Sequence, residues 1–165
     1  MGLPGTIYRP GMLSGSSVTG IGNASFFPDR YIRGCLELGF AASSEAVCDL
    51  TPVDYAAGVI VRLMMEGLAP GKTLHVFNPR SPSYSDLAKL LGLPSLPVHE
   101  FLAKLGSESS LSPLLPMLSG GLPAASPWGD QNLQQALGAD YAPPEVTPEL
   151  IEAYAKRARA LEDCG

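Results

Sequence analysis

The chain has 165 residues and a formal net charge of −5, with 45% hydrophobic and 16% charged residues. This length fits one domain or part of one, and an acidic chain without clustered Lys and Arg is unsuited to binding nucleic-acid phosphates. Ordinary hydrophobicity with so few charges argues against disorder and predicts apolar surface that faces another domain or a partner.

Cysteine and histidine are too sparse for a structural metal site. The sequence has two histidines, and Cys35, Cys48 and Cys164 form no C-x-x-C pair. We therefore expect no bound metal, and free thiols in a reducing, cytoplasmic environment. The first residues lack the basic and apolar regions of a signal peptide, and the longest apolar stretch, 53–65, is too short to span a bilayer.

Short β-type and helical patterns alternate in the first third of the chain. They are a strand over 6–8, a Gly/Ser-rich loop over 11–23, a helix over 26–38 and a short strand over 46–50. Pro10 and Gly11 end the first strand, and Gly39 ends the helix.

The clearest helix start is the run from Thr51 to Asp54. Thr51 suits the N-cap, Pro52 suits the first helical position, and Asp54 can reach back as in a capping box. The helix that follows, 52–66, is apolar nearly all round. We therefore expect it to be buried on most sides.

The second half predicts short elements around one irregular segment. The regular elements are a strand over 73–78 and helices over 83–91, 98–105, 131–137 and 147–162. The first of these helices begins with a capping pattern at 83–86. Residues 106–130 are rich in Ser, Pro, Gly and Leu, and a proline every few residues forbids a long regular element. We expect short helical turns within a mobile segment there.

Familiar catalytic motifs are absent. The sequence has no nucleophile elbow and no P-loop, and 20–25 is a near miss to G-x-G-x-x-G that lacks the third glycine. None of the tyrosines is followed by Lys four residues later; Tyr84 has Lys89 at +5, which points to another helix face. His75 is interpreted as a packed strand residue and His99 as an exposed one. No acid/base pair for carbonyl reduction is therefore recognisable, and we assign no catalytic residue.

Three segments together carry a family resemblance. They read TIYRPGMLSG at 6–15, CDLTPVDYAA at 48–57 and LHVFNP at 74–79. In this order and spacing they resemble the C-terminal half of the extended short-chain dehydrogenase/reductase family. The most similar group is the terminal thioester reductase domains of nonribosomal peptide synthetases, hybrid polyketide assembly lines and carboxylic acid reductases. A weaker likeness continues through WGDQN at 128–132, so that it spans essentially the whole chain.

The resemblance implies an α/β fragment, mainly helical with a few short strands, in which 1–165 is the C-terminal substrate subdomain of an extended Rossmann-type reductase. The parent domain would bind NADPH in an N-terminal Rossmann half that also carries a Thr-Tyr-Lys set. This chain begins after that half, so we expect it to bind no cofactor alone and to be inactive alone. Without sheet neighbours, the strand over 6–8 should fray or pair with another copy of itself.

The resemblance also assigns positions to a site. Residues 1–15 would form a strand end and a nicotinamide-edge loop, and 106–130 a mobile lid or carrier-protein docking segment. The residues expected against the nicotinamide carboxamide are Pro10, Gly11, Met12 and Leu13. Those expected at the substrate pocket are Ser14, Gly15, Asn23 and Phe27. Arg9 is interpreted as a structural partner of Asp49 or Asp54.

The implied function is reductive release of an acyl or peptidyl thioester, as aldehyde or alcohol, from a phosphopantetheinylated carrier protein. An alternative is a non-catalytic module that binds a carrier protein or an acyl chain, and the missing Tyr/Lys pair favours it for the isolated chain. A further alternative is an extended reductase acting on a nucleotide sugar or a sterol. The absence of a basic diphosphate site in this half argues against nucleotide sugars.

Overall fold

A computed structural model describes residues 5–107, 109–125 and 129–160. Within these ranges the strands are β1 (Ile7–Pro10), β2 (Leu13–Ser14), β3 (Ala41–Ser43), β4 (Thr51–Pro52), β5 (Thr73–Val76) and β6 (Ser95–Pro97). The helices are α1 (Phe27–Leu38), α2 (Val53–Met65), α3 (Tyr84–Leu90), α4 (Val98–Ala103), α5 (Leu115–Leu118), α6 (Gln131–Leu137) and α7 (Pro148–Ala160). The expected class, α/β and mainly helical with a few short strands, is confirmed. Trp128, Cys164 and the last two residues predicted for the final helix lie outside the described residues.

The strands form three parallel pairs, β1 with β5, β2 with β4 and β3 with β6. In the first pair Ile7 lies opposite Thr73 and Pro10 opposite Val76. The expectation that this strand frays or pairs with another copy is therefore wrong. The long crossover that contains α2 returns the chain in the same direction and supplies a neighbour from within the chain.

Buried apolar side chains form two separate clusters. The larger cluster centres on Tyr31, Tyr84 and Phe101, all fully buried, and joins α1, α3, α4 and α7. The smaller cluster lies beneath the β1–β5 pair. Its buried members are Ala56, Leu63, Leu74, Val76, Leu133 and Leu137. The described residues thus form one helical core and one small core under a strand pair.

Helix α2 is much more exposed than its sequence predicts. Only Ala56 and Leu63 are buried in it, whereas Val61, Met64 and Met65 are 58%, 64% and 82% exposed. The prediction of burial on most sides is wrong because the described part of the chain packs against one side of the helix. We call the three exposed side chains the α2 stripe.

The start of α2 also differs from the prediction. Pro52, and not Thr51, occupies the N-cap, and no side chain caps the helix. The Thr51 hydroxyl donates to Asp49 Oδ1 at 2.7 Å, and Asp54 accepts hydrogen bonds from Ser17. A local partner for Thr51 and a tertiary partner for Asp54 have therefore replaced the predicted capping bonds.

Other local signals are confirmed. Helix α1 ends at Gly39, whose φ is +74°, and Ser83 caps α3 by accepting the Asp86 N–H at 3.0 Å. The strand expected over 46–50 does not form beyond a single antiparallel bridge between Val47 and Ser83.

The Pro/Leu-rich segment contributes to the larger core. Leu111 and Leu118 are fully buried, whereas Met117 is 49% exposed. The described part of 106–130 forms a 3₁₀ turn at Ser112–Leu114 and the short helix α5, as predicted. Its mobility stays a prediction. Among the helices described, none is long and apolar enough to cross a bilayer.

Candidate functional site

The turn over 10–13 lies where two parallel strands end. Because β1 and β5 run in the same direction, their carboxyl ends share one edge, where ligands bind in open α/β folds. The Gly11 N–H donates to Val76 O at 2.9 Å, which continues the pairing by one residue. Pro10 is exposed, and the next three residues are half-buried.

A buried carboxylate fixes this turn. Asp49 is 5% exposed, and its Oδ2 accepts the Met12 N–H at 2.8 Å. The Thr51 hydroxyl donates to Asp49 and accepts the Asn78 N–H at 2.9 Å. Burial raises the pKa of Asp49, and the bonds from Thr51 and Met12 oppose that shift. The turn, β4 and the segment after β5 are therefore joined by one network.

Glycine is required at the centre of the turn. A Cβ at Gly11 would lie 2.8 Å from Phe77 Cβ and would overlap the Asp49 carboxylate. The N–H groups of Gly11 and Met12 are both used within the protein. The turn therefore presents an exposed proline and half-buried neighbours at this edge, and the N–H groups of Gly11 and Met12 are not available to a ligand.

The loop that follows is held by the last helix. The Tyr154 hydroxyl donates to Gly15 O at 2.7 Å and lies 3.1 Å from Ser14 Oγ. Burial raises the pKa of Tyr154 to about 12, so its hydroxyl stays protonated at neutral pH. Gly20 adopts φ +69°, and a Cβ there would lie 2.8 Å from Ala153 O.

A second contact ties the same loop to α2. The Ser17 N–H and hydroxyl donate to the two oxygens of Asp54 at 2.8 and 2.5 Å. Since Asp49 binds Met12 and Asp54 binds Ser17, both carboxylates proposed as partners of Arg9 have other partners. Among the described residues no hydrogen bond or ion pair joins Arg9 to either carboxylate, so the predicted pairing of Arg9 is wrong.

A cavity of about 50 Å³ lies between this loop, α1 and α7. It is lined by Ser14, Gly15, Gly22, Ala24, Pro28, Asp29, Ile32, Arg33, Tyr154, Arg157 and Ala158. The lining starts directly after Leu13, so the cavity adjoins the turn along the chain.

Asp29 is the one carboxylate that lines this cavity. It belongs to the first turn of α1, and burial raises its pKa to about 6, against the effect of a backbone hydrogen bond. Its Oδ2 is buried and has no hydrogen-bond partner in the described structure. Unpaired buried oxygens are rare in folded proteins because they lose hydration without replacement.

The four residues predicted at the substrate pocket do not all lie at this cavity in the structure. Ser14 and Gly15 line the cavity, but Asn23 and Phe27 do not. Asn23 is exposed and accepts the Ser25 N–H at 2.9 Å. Phe27 is a core residue, because α1 turns its ring inward against Tyr31 at 5.6 Å.

Sequence reasoning missed Asp29, Tyr154 and Arg157. Asp29 could have been noticed as a carboxylate in the first helical turn after the glycine-rich loop. No local signal marks Tyr154 or Arg157, because α7 meets the loop only through the tertiary fold.

The two histidines and the two cysteines that the structure describes do not line this cavity. His75 is half-buried, with Nδ1 at 3.4 Å from Gly129 O, and His99 is exposed beside Glu100. Cys35 and Cys48 are free and buried, and burial raises the pKa of Cys35 to about 12. Within the ranges that the structure describes, no group of His, Cys, Asp and Glu could hold a metal ion.

Comparison with known proteins points to reductases. Residues 1–60 match the NAD-binding family described as male sterility protein. The chain is 32% identical, over 91% of its length, to the large subunit of L-2-aminoadipate reductase from Eremothecium gossypii. It is 30% identical, over 70% of its length, to a non-canonical nonribosomal peptide synthetase from Aspergillus hancockii. It spans about 12% of the length of each of these relatives.

A solved structure matches the whole fold. The terminal R domain of the myxalamid polyketide–nonribosomal peptide pathway is 33% identical and superposes with a TM-score of 0.85. The match covers 98% of this chain and 45% of that one. The chain therefore has the fold of the terminal reductase domains over the part that it matches, and its first 60 residues carry the sequence of the NAD-binding male sterility family.

Proposed function

We propose that the chain is the substrate side, 1–165, of an NADPH-dependent thioester reductase domain, which releases a carrier-bound acyl or peptidyl chain as an aldehyde or alcohol. The observation that carries this proposal is the fixed turn at the carboxyl ends of β1 and β5, followed directly by a loop and a cavity. The reductase-like fold and sequence of the relatives support it.

In this proposal the turn borders the cofactor. Pro10, Gly11, Met12 and Leu13 would form the wall beside the nicotinamide, and Asp49 would hold that wall in place through the Met12 N–H. NADPH bound there would supply the hydride that converts a thioester to an aldehyde and a free thiol. The chain contributes position and exclusion of water, because the sequence offers no acid/base pair of its own.

The loop and cavity would receive the substrate. Ser14 and Gly15 would form the inner wall, while Asn23 would lie at the exposed rim and Phe27 would support α1 from the core. The phosphopantetheinylated carrier protein would dock along 106–130, where Met117 is exposed. The proposed location is the cytoplasm, where such assembly lines find NADPH.

The alternative is a module that binds a carrier protein or an acyl chain without chemistry. The absence of a Tyr-x-x-x-Lys pair in the sequence favours it for the chain alone. The two functions differ in one property, which is consumption of NADPH when the chain is joined to a cofactor-binding half.

The test compares the chain alone with a chimera in which the N-terminal half of the myxalamid R domain precedes it. We expect the chimera to bind NADPH and to release free thiol from a pantetheine thioester, and the chain alone to do neither. Tight NADPH binding by the chain alone would contradict the proposal that the turn over 10–13 only borders a cofactor held by the N-terminal half. A folded, NADPH-binding chimera that binds carrier protein but reduces no thioester would favour the binding module.

A further inference from the structure

A short arc of the loop between β2 and α1 covers the Asp29 carboxylate. The arc is 21–26, and all six of its residues are exposed, Ile21 and Phe26 by 54% and 46%. A Cβ at Gly22 would overlap the Asp29 carboxylate, so the backbone of the arc lies directly against this group. A single layer of backbone therefore separates a buried carboxylate oxygen from solvent.

Hydrogen bonds attach the arc to the rest of the chain at its two ends. The Ser16 N–H donates to Ile21 O at 2.9 Å, and Arg30 Nε donates to Ser25 O at 3.2 Å. The part of the loop before the arc, 15–20, is held by α7 and by the first turn of α2, as described above. The arc can therefore lift while the rest of the loop stays in place.

Ionisation of Asp29 disfavours the closed position of the arc. In that position Oδ2 is buried without a hydrogen-bond partner. A charged carboxylate that loses water without replacement is destabilised far more than the neutral acid. Burial accordingly raises the pKa of Asp29 to about 6, against the effect of a backbone hydrogen bond. Because lifting the arc returns this oxygen to water, the charge favours the open position and the proton favours the closed one.

The other charged groups around the cavity do not share this titration. They are Arg33 on α1, and Tyr154 and Arg157 on α7; the loop contributes no charged side chain to the lining. Arginines stay protonated, and burial raises the pKa of Tyr154 to about 12. At Asp54 the hydrogen bonds from Ser17 outweigh burial and hold its pKa below the ordinary value, so this anchor of the loop stays ionised above about pH 4.5.

We propose that the arc 21–26 is a proton-controlled gate of the cavity, which neutral Asp29 holds closed and ionised Asp29 drives open. As the pH rises from about 4 to about 6, opening releases one proton to solvent, and the ratio of closed to open chains falls by up to about ten-fold per pH unit. Above about pH 6 the ratio stays at its low value. The movement is a property of this chain alone. Its role, to admit a group larger than the closed cavity of about 50 Å³ holds, rests on the proposed function.

Amide hydrogen exchange of the chain, followed by NMR from pH 4.5 to pH 7.0, tests the gate. The reporters are the N–H groups of Ser16 and Phe26, which donate to Ile21 O and Asn23 O in the arc. Protection factors are used, because they remove the intrinsic pH dependence of exchange. We expect both to fall at least about ten-fold over this range and to lie below those of α3 at each pH, as local opening requires. Protection equal to that of α3 would mean that the arc opens only when the chain unfolds, and would overturn the gate.

The variant Asp29→Asn keeps this side chain neutral at every pH. The fall in protection of the two reporters should then shrink to less than about two-fold. Glu152→Gln is the matched control, because it removes an exposed carboxylate of α7 outside the cavity lining and should keep the full fall. A wild-type chain whose reporters do not change with pH, or a fall that persists in Asp29→Asn, would overturn the inference.

A direct titration needs no variant. The ¹³C shift of the Asp29 carboxyl should titrate with a midpoint well above 3.8, the ordinary value, and a midpoint at 3.8 would also overturn the gate. Neither experiment contains NADPH or a thioester, so failure of the gate leaves the proposed function standing. A gate that moves as expected in a chain whose chimera reduces no thioester would keep the movement and remove its role toward a substrate.

Discussion

At the scale of single residues, Asp49 has the widest structural role of the carboxylates described. Its two oxygens accept from the backbone of the turn and from the Thr51 hydroxyl, which in turn accepts the N–H of Asn78. A second bond, from the Asn78 amide to Leu50 O at 3.2 Å, closes the network. Three segments far apart in sequence are thereby held at one end of the β1–β5 pair.

The variant Asp49→Asn should lower the free energy of unfolding by about 1–3 kcal/mol. The asparagine side chain has one acceptor oxygen and one NH₂ group. Either the Met12 N–H or the Thr51 hydroxyl would therefore face the NH₂ group, which is a donor, and lose its acceptor. Urea denaturation followed by circular dichroism measures the change. Glu145→Gln, which alters only an exposed ion pair with Arg80, should stay within about 0.5 kcal/mol of wild type. Equal, small effects of both substitutions would refute the role given to Asp49.

At the scale of elements, the loop between β2 and α1 is fixed from 15 to 20 before any ligand binds. Tyr154 holds its first residues, Asp54 holds Ser17, and the Gly20 backbone packs against α7. Within the loop, the Ser16 N–H donates to Ile21 O at 2.9 Å. A wall ordered in this way loses little conformational entropy when a ligand binds.

Removing one hydroxyl should loosen this loop. In Tyr154→Phe, Gly15 O and Ser14 Oγ lose their common partner, which we expect to cost about 1–2 kcal/mol of unfolding free energy. The ¹⁵N heteronuclear NOE of 15–22 should fall, which reports faster motion on the picosecond-to-nanosecond scale. Values in α3 serve as the internal control and should not change. An unchanged loop would show that Asp54 and Gly20 suffice to hold it.

Some elements of this fold can be predicted from neighbouring residues alone, and others cannot. The end of α1 at Gly39 and the cap of α3 at Ser83 depend on neighbours within four residues, and both were predicted correctly. The sequence favours Thr51 as an N-cap equally well, but its hydroxyl accepts the N–H of Asn78, 27 residues away, and donates to Asp49. At the candidate site, Ser14 was identified through a family segment, whereas Tyr154 reaches the loop across 139 residues and leaves no local pattern.

At the scale of the whole molecule, the two cores differ in how completely they are covered. The larger core is enclosed by helices, including α1 and α7. The smaller core lies under a two-stranded pair whose outer residue Ile7 is 54% exposed, and the three side chains of the α2 stripe are exposed as well. We predict that other protein covers this exposed apolar surface.

Charge on the α2 stripe should change association without changing the fold. We expect the isolated wild-type chain to self-associate through the α2 stripe, and the double variant Met64→Lys, Met65→Lys to stay monomeric at the same concentrations, as measured by sedimentation velocity. Its unfolding free energy should change by less than about 0.5 kcal/mol per site, because both side chains are exposed. Glu152→Lys adds charge on α7, away from the stripe, and should not restore the monomer. If the double variant still self-associates, the surface responsible lies outside the α2 stripe.

Because the smaller core is incompletely covered, we expect its stability to depend on the concentration of a protein that covers it. A second protein layer that binds β1 and the α2 stripe only when they are folded would add stability by mass action, about 2.7 kcal/mol when its concentration is a hundred times its dissociation constant. The six buried side chains beneath β1 and β5 would gain most, because they belong to the smaller cluster. Assembly with that layer and ordering of the turn over 10–13 would then be one linked equilibrium. The turn over 10–13, which Asp49 already holds through the Met12 N–H, would gain further stability whenever the layer is bound.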